Sequence, residues 1–196
     1  MWKRILPITA AIALFAAAPA LAAGPTITVT AKDVPLAAKF SAEGSLLGWA
    51  RAGRVSVTSA TGDVTGDGVA DLVTSADGLV TVYDRGIAVR RFSPYGDRAI
   101  IAISVADIDR DGHADIATGH VGGAPYVKVF SGADLHLMKA FFAGSGDKAI
   151  IAIALERAII AVLMGPEVKV FDTATLATRA AFLPFGGAPA AGVAIA

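Results

Sequence analysis

The densest group of side chains able to do chemistry in this 196-residue sequence is Asp107-Ile-Asp109-Arg-Asp111-Gly112-His113-Ala-Asp115. Its carboxylates stand at loop positions 1, 3, 5 and 9, with glycine at position 6. A hard cation such as Ca²⁺ takes about six to eight oxygen ligands, and alternate residues of a tightly wound loop can aim theirs at one point. Gly112 supplies the left-handed turn that returns the ninth residue to the ion. The backbone carbonyl of His113 is then the seventh-position ligand, and its imidazole is not needed. Four carboxylates this close repel one another unless a cation neutralises them. The segment is not an EF-hand, because position 12 is Thr118 instead of glutamate.

A second segment, Asp63-Val-Thr65-Gly-Asp67-Gly68-Val-Ala-Asp71, repeats the layout with Thr65 at position 3. One carboxylate fewer predicts a weaker second Ca²⁺ site. In a third unit the loop is missing, since Leu155-Glu156-Arg157 runs almost directly into the next apolar stretch. The competing reading of both loops is that Asp and Gly simply make turns. No catalytic set accompanies them. The sequence lacks His-Glu-x-x-His, Gly-x-Ser-x-Gly, a P-loop and a dinucleotide fingerprint. Ser145 lies in Gly-Ser-Gly with no base in view, and His113, His120 and His136 are scattered.

The elements that must position these loops are short strands. Apolar residues alternate with polar ones in Thr26–Thr30, Val80–Val82, Val127–Val129 and Val168–Val170, a period of two rather than 3.6. These strands recur in order. Asp97–Ile103 returns as Asp147–Ile153 at an offset of 50, with only Arg98 changed to Lys148. Asp63–Asp71 returns as Asp107–Asp115 at an offset of 44, and Val127–Phe130 returns as Val168–Phe171 at an offset of 41. A repeat of roughly 40–50 residues with about four strands is the spacing of a propeller blade.

Each unit reads as an Ile-Ala-Ile type strand (Val55–Thr58, Ile101–Val105, Ile151–Ala154), a strand after the acidic loop, a Val-x-Val strand, and a strand ending in Phe (Phe40, Phe92, Phe142, Phe182). Lys128 and Lys169 alternate with valine and read as the solvent side. The expected fold is all-β, a β-propeller-like array of four-stranded antiparallel blades. It has three full repeats, two strands before them (Thr26–Thr30, Leu36–Phe40) and a lone first strand after them (Val193–Ile195). Those ends hold three of the four strands that a blade closing a four-bladed ring requires. A truncated larger propeller is the alternative.

Ala106–Gly119, followed by Gly122-Gly-Ala-Pro-Tyr-Val-Lys-Val-Phe130, resembles the FG-GAP/VCBS repeat family, the calcium-loop propeller repeats also found in integrin α-subunit heads. Residues 61–84 match more loosely, and 147–171 match without the ion loop. The resemblance implies a calcium-stapled blade array that binds ligands through its loops.

Met1–Ala23 reads as a signal peptide, and residues 24–196 as one repeat domain. Lys3 and Arg4 precede an apolar run from Ile8 to Ala18, and Ala20-Leu21-Ala22 supplies the small-x-small cleavage pattern. The run is shorter than the about 20 residues a membrane span needs. Removing Lys3 and Arg4 leaves 15 basic against 17 acidic residues, which gives no electrostatic case for nucleic acid. Zero cysteines exclude disulfides and thiolate sites. A 55% hydrophobic fraction with 17% charged residues excludes a disordered chain. The reading is an exported, periplasmic or extracellular, non-enzymatic binding or scaffold module for a protein or glycan. Two alternatives stand beside it, an envelope lyase or phosphatase working through calcium and a fragment of a larger adhesin.

Overall fold

The computed structural model describes the strand backbones 26–30, 36–41 and 46–51, and residues 58–96, 100–121, 123–146 and 150–183. Met1–Ala23, which the sequence reads as a signal peptide, and Val193–Ile195 lie outside these residues. All regular elements described are strands. β1 (Thr26–Thr30), β2 (Leu36–Ser41) and β3 (Leu46–Arg51) form a three-stranded antiparallel sheet. β4 (Thr58–Gly62), β5 (Asp71–Ala76), β6 (Leu79–Asp84) and β7 (Ile87–Phe92) form a four-stranded meander. β8 (Ile100–Ala106), β9 (Asp115–Val121), β10 (Tyr126–Phe130) and β11 (Leu137–Phe142) repeat it. β12 (Ile150–Glu156), β13 (Ile159–Met164), β14 (Glu167–Asp172) and β15 (Thr178–Phe182) repeat it again.

The expected four-strand units are therefore present, with two corrections. The first strand of the 58–92 sheet continues to Gly62, beyond the expected end at Thr58, because Thr58–Gly62 pairs with β5 down to Asp71 at the foot of the acidic loop. Residues 55–57 lie outside the described residues. Before the full units there are three strands rather than two. The third is Leu46–Arg51, which the repeat pattern does not mark and which pairs with β2 from Leu36↔Arg51 to Phe40↔Leu46.

The sheets stack face to face. β4 neighbours β8 and β8 neighbours β12, so the first strands line one side of the array. Val73, Val80 and Val82 of one sheet pack with Ile101, Ile103 and Ile116 of the next. Ala117, Val127 and Val129 then pack with Ile153, Ile160, Val162 and Phe171 of the third. The branched residues that give the strands their period of two are thus the inter-sheet core, where apolar burial contributes about 25 cal/mol per Å².

Fourth strands face outward, and β15 is exposed along its length. Arg90, Arg91, Lys139 and Arg179 on these outer strands discourage edge-to-edge pairing. Phe92 packs on Phe130 of the following sheet, and Phe141 on Phe171, each pair with ring centroids 4.9 Å apart. In the middle sheet Phe141, and not Phe142, is the interface aromatic, and Phe142 is 62% exposed.

Lys128 departs from the solvent-side expectation. It is half-buried, its Nζ donates to the Pro94 carbonyl at 2.7 Å, and it lies over the rings of Tyr95 and Tyr126. Tyr95 Oη in turn lies 2.9 Å from the Thr118 carbonyl and 3.0 Å from that of Tyr126. These polar contacts tie adjacent sheets together beyond the apolar stack.

Candidate metal centre in the stacked acidic loops

Both acidic loops connect the first strand of a sheet to its second, and both close at the foot by the same pairing, Gly62↔Asp71 and Ala106↔Asp115. Within each loop the position-1 carboxylate collects backbone N–H groups. Asp63 Oδ1 accepts from Gly66 and Asp67 at 2.7 and 3.0 Å, and its Oδ2 accepts from Gly68 at 2.7 Å. Asp107 accepts from Arg110 at 2.6 Å and from Gly112 at 3.4 Å. The winding needs left-handed residues at positions 4 and 6. These are Gly66 and Gly68 in one loop (φ 76° and 81°) and Arg110 and Gly112 in the other (φ 68° and 89°).

The position-9 carboxylates are buried. Asp115 Oδ2 accepts from Ile108 N–H and its Oδ1 from Gly132 N–H, both at 3.0 Å, which pins the loop to the segment after β10. Asp71 Oδ2 accepts from Thr65 N–H at 2.8 Å. Burial pushes both carboxyls above the ordinary carboxylate range, against the lowering effect of these N–H bonds.

Asp107, Asp109 and Asp115 each bring a carboxylate oxygen to within 4.8 Å of the others. An all-oxygen, triply anionic donor set suits a hard divalent ion. Asp111 is exposed and stands apart from that group, accepting from His113 N–H at 2.7 Å. The His113 imidazole is engaged elsewhere, since its Nδ1 donates to the Val64 carbonyl of the neighbouring loop at 3.0 Å.

In the 63–71 loop the ligand positions carry a different signal. Oγ1 of Thr65 and Oδ1 of Asp71, at positions 3 and 9, are buried, and the Thr65 side chain acts on the Asp71 carboxyl and lowers its pKa against the effect of burial. Asp67, at position 5, instead meets a guanidinium, with Arg85 Nη2 2.7 Å from its Oδ2. Sequence spacing could not reveal this, because Arg85 arrives from the turn between β6 and β7. If this loop is the weaker calcium site that the sequence predicts, replacing Arg85 with Gln should raise its affinity by up to about fivefold, the worth of an exposed ion pair. Calorimetric titration would read it, and an unchanged second affinity would mean that Arg85 does not compete.

The two loops are stacked as one unit. Ala114 N–H donates to the Asp63 carbonyl at 2.6 Å, and the His113 ring lies so close over Gly66 that a β-carbon there would sit 2.4 Å from it. On its other side the 107–115 loop borders a cleft of about 370 Å³ lined by Ile108, Asp109, Lys139, Arg157, Asp172 and Arg179. The third unit has only the turn at Arg157 and Ala158 between its first strands, so the cleft occupies the place of its missing loop. Asp172 is held well below the ordinary carboxylate range by the Thr175 N–H and by Arg179, which donates to it. Lys139 and Arg157 bring further positive charge to the same walls.

No protein-family model matches the sequence, and neither does any curated protein. Among solved structures, Saccharomyces cerevisiae Sqt1 is similar with a TM-score of 0.61 and 12% identity over 87% of this chain and 50% of that one. Chaetomium thermophilum Raptor is similar with a TM-score of 0.64 and 12% identity over 86% of this chain and 17% of that one. The chain thus spans half or less of these structures. At such identity the likeness establishes the fold alone, a blade array of the β-propeller type.

Proposed function

We propose that this protein is an exported, non-enzymatic propeller module that binds calcium in its acidic loops and presents the loop face to a protein or glycan partner. The observation that carries the reading is the convergence of Asp107, Asp109 and Asp115 in a loop braced against its neighbour. The repeat resemblance supports calcium as the ion, and the signal-peptide pattern supports an export route to compartments where calcium reaches millimolar levels. The cleft beside Asp109, with Lys139 and Arg157 on its walls, gives the same face a mixed-charge surface for a partner.

An enzyme would need acid, base or nucleophilic groups converging on the axis. Among the described residues, the first strands β4, β8 and β12 carry one titratable side chain, Glu156 at the end of β12. This favours scaffold over lyase or phosphatase.

Extracellular calcium modules have dissociation constants of roughly 10⁻⁴–10⁻³ M. At tenfold excess, binding to the folded state alone adds about 1.4 kcal/mol per site. For a chain of this length that is a rise in Tm of about 3–6 °C. Asp109→Ala should abolish most of that rise while changing the melting point in chelator little, because Asp109 is exposed and its hydrogen bond stays within the loop. If wild type and Asp109→Ala melt alike with and without millimolar calcium, the loop is a turn and the ion reading fails. Mass spectrometry of the exported protein should show a mature start at Ala23 or Gly24, and an intact Met1 chain in the membrane fraction would contradict the export reading.

A further inference from the structure

We infer that the cleft between the second and third four-stranded sheets binds an acidic peptide segment of a partner. Lys139 and Arg157 grip a carboxylate there, and Ile108 and Met138 receive the apolar side chain beside it. The inference deepens the binding-module reading and rests on it, but it does not need the ion. Comparing equivalent positions in the repeat shows what sets this cleft apart. Opposite the second valine of each third strand, the fourth strand carries Arg90, Lys139 or Ala180. Arg90 is used inside the protein, since its Nη1 donates to the Gly132 carbonyl of the next sheet. On that side the 107–115 loop closes against its neighbour, with His113 over Gly66.

The next interface lacks that arrangement. Thr173 stands where Gly132 does, because the turns after β10 and β14 are wound alike. Ser131 N–H donates to the His136 carbonyl as Asp172 N–H does to that of Ala177, and Leu135 and Leu176 are both left-handed. Lys139 nevertheless makes no bond equivalent to that of Arg90. Among the described residues, neither Lys139 nor Arg157 has a side-chain hydrogen bond or an ion pair. With no acidic loop in the third unit, both stand on an open cleft of about 370 Å³. Ligand clefts run to about 300–1,000 Å³. Its far wall is fixed in advance, since Thr173 N–H donates to the Ala158 carbonyl at 3.1 Å and Thr173 Oγ1 to the Arg157 carbonyl at 2.7 Å. These bonds hold the β12–β13 turn, and Arg157 with it, against the β14–β15 turn, which lowers the cost of ordering on binding.

The sign of the ligand follows from which charges already have partners. Asp172 accepts from Arg179 and from both the N–H and the hydroxyl of Thr175, so it does not call for a cation. Asp109 is the one other carboxylate among the described lining residues. The cations without partners are Lys139 and Arg157. An arginine fork takes a carboxylate through two N–H groups, and lysine adds a point charge. Ile108 and Met138 line the same cleft and pack against the inter-sheet core, which supplies an apolar floor. No aromatic ring is among the described lining residues to stack on a sugar face, whereas a methionine adapts to peptide side chains. A carboxylate next to a branched apolar residue, as in a Leu-Asp-Leu segment, matches both features.

Titration of the full-length, isotope-labelled protein with the peptide acetyl-Gly-Leu-Asp-Leu-Gly-amide, followed by NMR in chelator, tests this. Amide shifts should concentrate at Met138, Lys139, Arg157, Ala158 and Thr173. The Leu-Asn-Leu analogue should bind about three- to tenfold more weakly, as should the acidic peptide to Lys139→Gln or Arg157→Gln, the range expected for a charge-assisted contact at a partly exposed site. Arg91→Gln, which removes an exposed cation from β7 away from the cleft, should leave the affinity unchanged. The spectra themselves report whether each variant is folded. Binding in chelator stands whatever calcium does to the melting temperature, so this test and that of the ion can fail separately. No binding with or without millimolar calcium, equal affinity for the two peptides, or an equal loss in Arg91→Gln would overturn the inference. So would shifts at the same amides with a glucuronate disaccharide and none with the peptide, an outcome that assigns the cleft to an acidic glycan and leaves the binding-module reading intact.

Discussion

Gly132→Ala should lower the melting temperature by about 6–12 °C and, on the calcium reading proposed above, weaken calcium binding by the 107–115 loop. A β-carbon at Gly132 would sit 2.3 Å from the Ala114 carbonyl oxygen and 2.9 Å from its carbon, both backbone atoms at the end of that loop. The glycine cannot retreat. Its N–H is held by the Asp115 carboxylate, and its carbonyl accepts from Arg90 of the preceding sheet. Overpacking against side chains costs about 1–3 kcal/mol because they can yield, and a pinned backbone puts this case at or above about 3 kcal/mol. Each kcal/mol shifts Tm by about 2–4 °C in a chain of this length. Gly144→Ala is the matched control, since its β-carbon would meet only the flexible ends of Met164 and Lys169. Thermal melts within 2 °C of wild type for Gly132→Ala would mean that the loop is not clamped there.

Asp115→Ala should cost about 2–5 kcal/mol in chelator, before calcium enters. It removes the acceptor of two N–H groups, Ile108 and Gly132, from a carboxylate that is fully buried. Each buried donor left without a partner costs about 1–3 kcal/mol. Asp115→Asn should lie between, because its amide oxygen can replace one acceptor while its NH₂ faces the other donor. Asp109→Ala, at an exposed position, should stay within about 0.5 kcal/mol of wild type under the same conditions. The series separates two roles that the loop sequence superimposes. In the proposed calcium reading Asp109 acts through the ion, whereas Asp115 holds the loop to the next strand whether or not an ion is bound. Equal melting of Asp115→Ala and Asp109→Ala in chelator would refute that division.

Much of this protein was legible from residue order because its units are local. The offsets of 50, 44 and 41 mark β8 and β12, the two acidic loops, and β10 and β14, and each unit folds by hairpins between neighbours in sequence. Alternation with β-branched residues sets which face of each strand is buried, and Gly at positions 4 or 6 sets the winding of the loops. The loss of the third loop could be read directly from Leu155-Glu156-Arg157.

Residue order failed where a partner decides. Leu46–Arg51 lacks the alternation of its neighbours and is a strand because β2 offers it an edge. The extension of the first strand of the 58–92 sheet from Thr58 to Gly62 is fixed by pairing with β5, a register no single strand contains. The contacts of His113 with Val64, Arg85 with Asp67, and Lys128 with Pro94 join turns and strands far apart in the chain. Periodicity reports which face of a strand is apolar, but not which sheet will cover it or which distant cation will meet a carboxylate. Those depend on how separate blades stack, and only the tertiary structure sets that.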